Sequence, residues 1–235
     1  EYYVALFNNQ PMGFYSLDAL SRDAQRQGIQ ILLPDINLSQ AKCIPESSEL
    51  RIGLGLVKGW GMKTAMAVII ERQRYGPFRS LSEFLQRMPR SLNRDMLENL
   101  ILVGGFKGFG LTRREILWQL GLWIGPRESL RPATVKRKQI QTELRLEDPN
   151  TVITFPDLTA TEQMVMEYRM LHFSVGFHPL SLLRKGLDSK IIFSNRLSEL
   201  SNHDPVKISG IVVSRQRPAS AKGYAFISLE DECGF

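Results

Sequence analysis

The feature that most constrains the fold is the run Val57–Ala65, which reads Val-Lys-Gly-Trp-Gly-Met-Lys-Thr-Ala. Two glycines around one apolar residue favour a tight turn, because glycine tolerates backbone angles that other residues avoid and lets the backbone approach another molecule closely. Trp60, between the glycines, is expected to anchor this turn in the core. Val68 and Ile69 follow, so the run predicts a helix that begins at about Met62.

The same run resembles the helix-hairpin-helix DNA-binding motif. The unpaired N–H groups of the second helix and the positive end of its dipole then point out of the turn, where a nucleic-acid phosphate can bind. Ala65 is small enough to let the two helices cross closely. The predicted DNA-binding residues of this hairpin are Lys58, Gly59, Trp60, Gly61, Lys63 and Thr64. The alternative is that the two glycines only form a turn between helices.

Basic residues are concentrated around this hairpin. The chain has 30 Lys and Arg against 24 Asp and Glu, a net charge of +6. Between Arg51 and Arg94 there are nine basic and two acidic residues, so the local charge is +7 and the rest of the chain is close to neutral. Such clustering favours a phosphate backbone as the partner. A basic face that is merely solvated is the alternative.

A second, less regular copy of the hairpin follows. An apolar helix stripe leads into Gly104 and Gly105, and a further helix is predicted from Thr112. Paired hairpins can hold both strands of a duplex through backbone contacts without reading its sequence. Gly104 and Gly105 are therefore predicted DNA contacts, and a purely structural role is the alternative.

Polar residues with capping potential predict where helices begin. Ser16 is expected to cap a helix that runs to about Gln27, and Asn93 a helix over about 94–103. The capping-box spacing occurs at Ser80 and Glu83, Thr112 and Glu115, and Thr159 and Glu162. The remaining predictions are a short strand at 29–33, a connector at 34–48, a compact helical unit at 50–124, a linker at 125–155, and helices at about 162–171 and 180–184.

The last part of the chain is predicted to be a β-hairpin. Its strands are Val206 to Arg215 and Tyr224 to Leu229, joined by a turn at 218–223. Cations that follow phosphates and rings that stack on bases suit single-stranded nucleic acid. The residues predicted to bind it are Arg215, Arg217, Lys222, Tyr224 and Phe226. An unrelated β-domain is the alternative.

The sequence contains none of several patterns typical of catalysis. There is no Asp-x-Asp pair, no phosphate-binding loop of the G-x-x-x-x-G-K-[ST] type, no G-x-S-x-G and no His-Glu pair at metal spacing. No catalytic or metal-binding residue is predicted. His178 is expected to be structural. Cys43 and Cys233 lie far apart and predict free thiols in a reducing cytoplasm. No apolar run reaches the length of a membrane-spanning helix.

Several longer stretches resemble the C-terminal half of a C-family bacterial DNA polymerase, the family of the polymerase III alpha subunit, and most closely its error-prone branch. The stretches that carry the resemblance are 7–16, 33–37, 53–55, 92–106, 178–180, 213–223 and 229–231. The resemblance implies that 1–30 end the fingers region, 31–124 form a tandem helix-hairpin-helix domain, 125–203 are a linker with connecting helices, and 204–235 start an oligonucleotide-binding (OB) fold. The implied fold class is mainly α with a β tail.

The resemblance also implies a DNA-directed DNA polymerase that copies damaged templates. The palm and its Mg²⁺-binding aspartates would then precede Glu1, so this stretch is expected to hold no cofactor and to be inactive alone. The implied partners are double-stranded and single-stranded DNA, with a sliding clamp and translesion accessory proteins as further partners. Two alternatives are a stand-alone DNA-binding or protein-interaction module, and a nuclease or helicase that uses hairpins to hold DNA.

Overall fold

The computed structural model describes residues 1–12, 15–88, 92–124, 154–176 and 178–235. These residues form two compact units, Glu1–Phe173 and Ser174–Phe235. The first unit is mainly helical and the second contains short strands, so the predicted fold class, mainly α with a β tail, is confirmed. The division between the units falls inside 125–203, the segment predicted to connect the helical unit to the β tail. The basic stretch from Arg127 to Arg145 lies outside the described residues.

Helices dominate the first unit. They are α1 (Tyr2–Asn8), α2 (Leu17–Arg26), α3 (Gly61–Tyr75), α4 (Leu81–Arg87), α5 (Arg94–Leu102), α6 (Arg113–Trp123) and α7 (Ala160–Leu171). Among the helices of the described ranges, none is both long and apolar enough to cross a membrane.

The predicted helix caps are present. Ser16 Oγ accepts the N–H of Ala19 at the start of α2, and Asn93 Oδ1 accepts the N–H of Met96 at the start of α5. Complete capping boxes begin α6 and α7, where the carboxylates of Glu115 and Glu162 accept the N–H of the threonine cap. These side chains satisfy backbone donors that a helix start would otherwise leave unpaired.

The capping box predicted at Ser80 is wrong in one of its two bonds. Ser80 Oγ accepts the N–H of Glu83, as expected. The carboxylate of Glu83, however, accepts the N–H of Arg79 at 2.9 Å, one residue before the cap.

A small sheet occupies part of the segment predicted to be a connector and the start of the helical unit. Its strands are β1 (Ile31–Leu32), β2 (Ile44–Glu46) and β3 (Glu49–Arg51), in the order β1-β3-β2. β1 runs parallel to β3, and β2 runs antiparallel to it. β1 lies within the short strand predicted at 29–33. The sequence did not indicate β2 and β3, because strands of three residues are too short to show a two-residue alternation.

Aromatic rings form part of the core of the first unit. The ring of Phe84 lies edge-on to Phe78 at 5.0 Å and to Phe106 at 5.3 Å between centroids. All three side chains are fully buried. Such pairs contribute about 0.5–1.5 kcal/mol beyond the burial of their area, and here they fasten α4 to the loop that follows α5.

The second unit contains one helix of five residues, α8 (Pro179–Leu183), and two pairs of strands. The strands are β4 (Ile191–Ile192), parallel to β5 (Lys207–Ile208), and β6 (Ile211–Gln216), antiparallel to β7 (Phe226–Glu230). The predicted hairpin is therefore present as β6 and β7.

The predicted continuous strand from Val206 to Arg215 is wrong, because it divides at Gly210 into β5 and β6. A Cβ on Gly210 would lie 2.9 Å from Leu229 Cβ and 3.0 Å from the carbonyl oxygen of Glu230. The chain can therefore cross the end of β7 only where it carries no side chain.

Candidate nucleic-acid interface

The hairpin predicted from the two glycines is formed. Gly59 has φ +86° and Gly61 has φ +61°, in the left-handed region that favours glycine. A Cβ on Gly61 would meet nothing within 4 Å, so the constraint there comes from the backbone conformation and not from a neighbour. Trp60 is 2% exposed and Ala65 is fully buried, as expected of the anchor and of the small residue beneath it.

The element before the hairpin differs from the motif that the sequence resembles. It is a single 3₁₀ turn, Leu54–Leu56, that packs against α3. Gly53, just before this turn, lets it approach the segment that precedes β2, because a Cβ there would lie 2.4 Å from the carbonyl carbon of Lys42. α3 itself begins at Gly61, one residue before the predicted start.

Hydrogen bonds from distant parts of the chain fix the hairpin. Trp60 Nε1 donates to the carbonyl of Met96 at 2.7 Å, and Asn99 Nδ2 donates to the carbonyl of Lys58 at 2.9 Å. The N–H of Lys58 donates to the carbonyl of Met170 at 2.9 Å. α5 and α7 therefore hold the hairpin, and no local pattern in the sequence pointed to Asn99 or Met170.

The outer side of the hairpin is open. Lys58, Gly59, Gly61 and Lys63 are exposed and Thr64 is half-buried, so the structure brings these predicted residues together. No side chain caps the start of α3, and its first turn contains no acidic residue. Within the described ranges, neither Lys58 nor Lys63 has a carboxylate partner. Trp60 belongs to the same turn, but its side chain is directed into the core.

Four arginines in the basic stretch are engaged within the fold. Arg51 pairs with Glu46, and Arg94 with Glu98 at 2.5 Å. Arg72 donates to the carbonyls of Ile36 at 2.9 Å and Ser39 at 3.0 Å. Arg87 pairs with Glu83 at 2.9 Å and Glu71 at 3.3 Å, and its guanidinium carbon lies 4.3 Å from the centroid of the Phe78 ring.

The surroundings of two of these arginines change their pKa in opposite directions. The hydrogen-bonded carboxylate of Glu46 raises the pKa of Arg51, and burial lowers the pKa of Arg72. Because four of the nine basic side chains are held within the fold, the local charge of +7 overstates the number of cations free to contact a partner. Arg90 lies outside the described residues, and the remaining basic side chains of the stretch are all exposed, namely Lys58, Lys63, Arg74 and Arg79.

The glycines of the second copy end a helix. The N–H of Gly104 donates to the carbonyl of Ile101, and the N–H of Gly105 donates to that of Leu100. With Gly104 at φ +86°, this is the Schellman pattern of a helix C-terminus. Gly105 is buried, and its carbonyl accepts the N–H of Ile36. The structural alternative accounts for both glycines, and their N–H groups are already used within the fold.

The Arg113 side chain lies beside Gly104 of the second copy. A Cβ on Gly104 would lie 3.0 Å from Arg113 Nη2, and Arg113 Nη1 pairs with Asp157 at 3.1 Å. Gly104 therefore differs from Gly59 and Gly61, which are exposed.

The residues predicted to bind single strand are all exposed, but they do not share one surface. In the register of β6 and β7, Arg215 pairs with Ile227 and Gln216 pairs with Phe226. Neighbouring residues of a strand point to opposite faces, so Arg215 and Phe226 lie on opposite faces of the hairpin. Arg217, Lys222 and Tyr224 lie in the connection between the strands, where Lys222 has φ +46°.

The described residues contain no group of three His, Cys, Asp or Glu side chains placed to hold a metal ion. His178 is structural, as predicted, because its Nδ1 accepts the N–H of Leu180 at the start of α8 at 3.2 Å.

The middle of the chain matches a known protein family. Residues 28–116 match the family model described as "Helix-hairpin-helix motif". This range contains the hairpin at Gly59 and Gly61, the glycines of the second copy and the start of α6. The chain therefore contains a helix-hairpin-helix region, as the sequence indicated.

The particular relatives are error-prone DNA polymerases. The chain is 34% identical to the Mycobacterium bovis protein over 234 residues, 98% of this chain and 20% of that protein. It is 35% identical to the Alkalilimnicola ehrlichii protein, over 98% of this chain and 22% of that protein, and 32% identical to the Corynebacterium diphtheriae protein, over 100% of this chain and 21% of that protein. The predicted resemblance is thereby confirmed, and the chain spans about a fifth of the length of these relatives.

Proposed function

We propose that this chain is a DNA-binding part of an error-prone DNA polymerase and that its first hairpin binds the phosphates of duplex DNA. The observation that carries the proposal is the open outer side of the hairpin. There, Gly59 and Gly61 leave the backbone accessible, and Lys58 and Lys63 are exposed without acidic partners.

The contact would work through charge and backbone groups. The start of α3 presents N–H groups and the positive end of the helix dipole, which favour an anion such as a phosphate. Lys58 and Lys63 would add point charges on either side of it. Contacts of this kind hold DNA without reading its sequence, which suits a polymerase that must accept any template.

For single-stranded template we propose the turn between β6 and β7 as the contact. Arg217 and Lys222 supply positive charge there, and Tyr224 is 74% exposed and can stack on a base. The proposed context is an OB-fold of which β6 and β7 form part. Arg215 and Phe226, on opposite faces, would contact different parts of the strand.

For the whole protein we propose DNA-directed DNA synthesis across damaged template, in replication and repair and in the cytoplasm. Mg²⁺ would be held by residues outside this chain. A sliding clamp and translesion accessory proteins would be its partners. A reading frame that encodes an Asp-x-Asp palm together with this chain, and primer extension by the product of that frame, would support it. A frame without such a palm would favour a stand-alone DNA-binding module.

Duplex binding measured against salt tests the hairpin. With about 4–6 phosphates neutralised, the logarithm of the affinity should fall with the logarithm of the salt concentration with a slope of about −4 to −5. Lys58→Ala with Lys63→Ala should weaken binding and make the slope shallower by about 2, because two cations no longer release counterions.

The matched control is Lys185→Ala with Lys190→Ala, which removes the same charge from two exposed lysines of the second unit. It should leave duplex binding close to that of the unchanged chain. A wild-type slope near zero, or equal losses in the two double variants, would contradict the proposal.

A further inference from the structure

Lys58 is held at both polar groups of its backbone. Its N–H donates to the carbonyl of Met170 on α7, and its carbonyl accepts from Asn99 Nδ2 on α5, both at 2.9 Å. The bond from Asn99 orients the peptide group that joins Lys58 to Gly59, and the bond to Met170 fixes the peptide group before it.

This orientation decides where the next N–H points. In a trans peptide the C=O and the N–H point in opposite directions. Since the Lys58 carbonyl faces Asn99, the N–H of Gly59 faces away from α5, and no acceptor within the described ranges takes it. Asn99 also lies close alongside the turn, because a Cβ on Gly59 would be 3.7 Å from its Nδ2.

We propose that Asn99 is a positioning residue for the phosphate-binding hairpin: its amide holds the Lys58 carbonyl so that the N–H of Gly59 is directed outward to the phosphate. The inference rests on the proposed function, since the direction of this N–H matters only if the hairpin binds an anion. A preorganised donor binds without the entropic cost of fixing the turn. Asn99 carries no charge, so it acts on geometry and not on the field at the site.

The test compares Asn99→Ala and Asn99→Leu in the 235-residue chain with Ser80→Ala. The Ser80 variant also removes side-chain hydrogen bonds from the first unit, those with the N–H of Glu83 and with Ser82 Oγ, but it does so at the start of α4. Duplex affinity of both Asn99 variants should fall about 5- to 10-fold, the effect of one lost hydrogen bond. The salt slope should stay that of the unchanged chain, because no cation is removed.

The unchanged slope separates Asn99 from Lys58 and Lys63, whose loss makes the slope shallower. A second measurement does not need DNA: the amide resonance of Gly59 should shift in both Asn99 variants and stay in place in Ser80→Ala. Asn99 variants that bind duplex as well as Ser80→Ala, or that leave the Gly59 resonance unchanged, would overturn the positioning role. If the Asn99 variants bind normally but the unchanged chain still shows the expected salt slope, the positioning role fails and the proposed function stands. If the unchanged chain does not bind duplex, the proposed function itself fails.

Discussion

Gly53 and Gly121 show how differently two glycines of one chain are used. Gly53 adopts an ordinary extended conformation with φ −74°, yet backbone atoms of Lys42 and Ala41 would lie within 2.7 Å of a Cβ there. Gly121 lies inside α6, and a Cβ on it would meet nothing within 4 Å. The first glycine is required by a close approach of two backbone segments, and the second only weakens a helix.

We expect opposite effects of alanine at these two positions. Gly53→Ala should lower the free energy of unfolding by about 2–3 kcal/mol, because backbone must move to make room for the methyl group. Gly121→Ala should raise it by about 0.5–1 kcal/mol, because alanine loses less conformational entropy in a helix. Urea unfolding of the two variants measures both effects, and a Gly53→Ala chain as stable as the unchanged one would contradict the steric argument.

At the scale of elements, carboxylates at the helix starts make the stability of the folded state depend on pH. The N–H of Thr112 lowers the pKa of Glu115, and the N–H of Thr159 lowers the pKa of Glu162. A carboxyl whose pKa is lower in the folded state stabilises the fold above its unfolded pKa of about 4.3. This contribution is lost as the pH falls from there through the lower folded pKa.

The double variant Glu115→Gln with Glu162→Gln should therefore lose less stability than the unchanged chain as the pH falls below about 4. Glutamine can still accept the N–H of each cap, so the helices should form. Unfolding midpoints in urea between neutral and acid pH measure the difference. Glu199→Gln removes a carboxylate outside any capping box and is the control. Parallel pH profiles of the double variant and the unchanged chain would refute the linkage.

Local sequence patterns predicted the helix starts but not the short strands. The helix starts at Leu17, Arg94, Arg113 and Ala160 follow from cap residues that the sequence displays, because a cap acts on N–H groups two or three residues away. The strands β2 and β3 and the division at Gly210 did not follow from the sequence. Short strands are stabilised by pairing with distant backbone, and that pairing leaves no periodic trace.

At the scale of the whole molecule, the two thiols differ in exposure and therefore in reactivity. Cys43 is 3% exposed, and burial raises its pKa to about 11. Cys233 is exposed as a residue, and partial desolvation of its thiol together with the charges of Asp231 and Glu232 raises its pKa. The thiolate is the reactive form, so burial protects Cys43 both by access and by ionisation.

At mildly alkaline pH a thiol reagent should label Cys233 of the native chain rapidly. It should label Cys43 only when the first unit unfolds locally. The fast phase should disappear in Cys233→Ser, and denaturant should bring both thiols into the fast phase. Rapid labelling of two thiols in the native chain would contradict the burial of Cys43.

The tertiary structure also determines which charged side chains are free to contact a partner. The sequence has a net charge of +7 between Arg51 and Arg94. The fold uses Arg51, Arg72, Arg87 and Arg94 to bind carboxylates and carbonyls, so they serve stability as well as charge. A count of charges along a chain cannot tell an exposed arginine from one that ties two elements together.

The sequence by itself determined the hairpin, the helix starts and the kinship with error-prone DNA polymerases. These depend on residues close together in the chain, such as a glycine that must adopt φ above zero or a serine that caps the helix beside it. Only the tertiary structure decided which cations are open to solvent and how Asn99 holds Lys58. Such contacts join residues far apart in the chain, 41 positions for Asn99 and Lys58, and their energy depends on burial and distance, which exist only once the chain has folded.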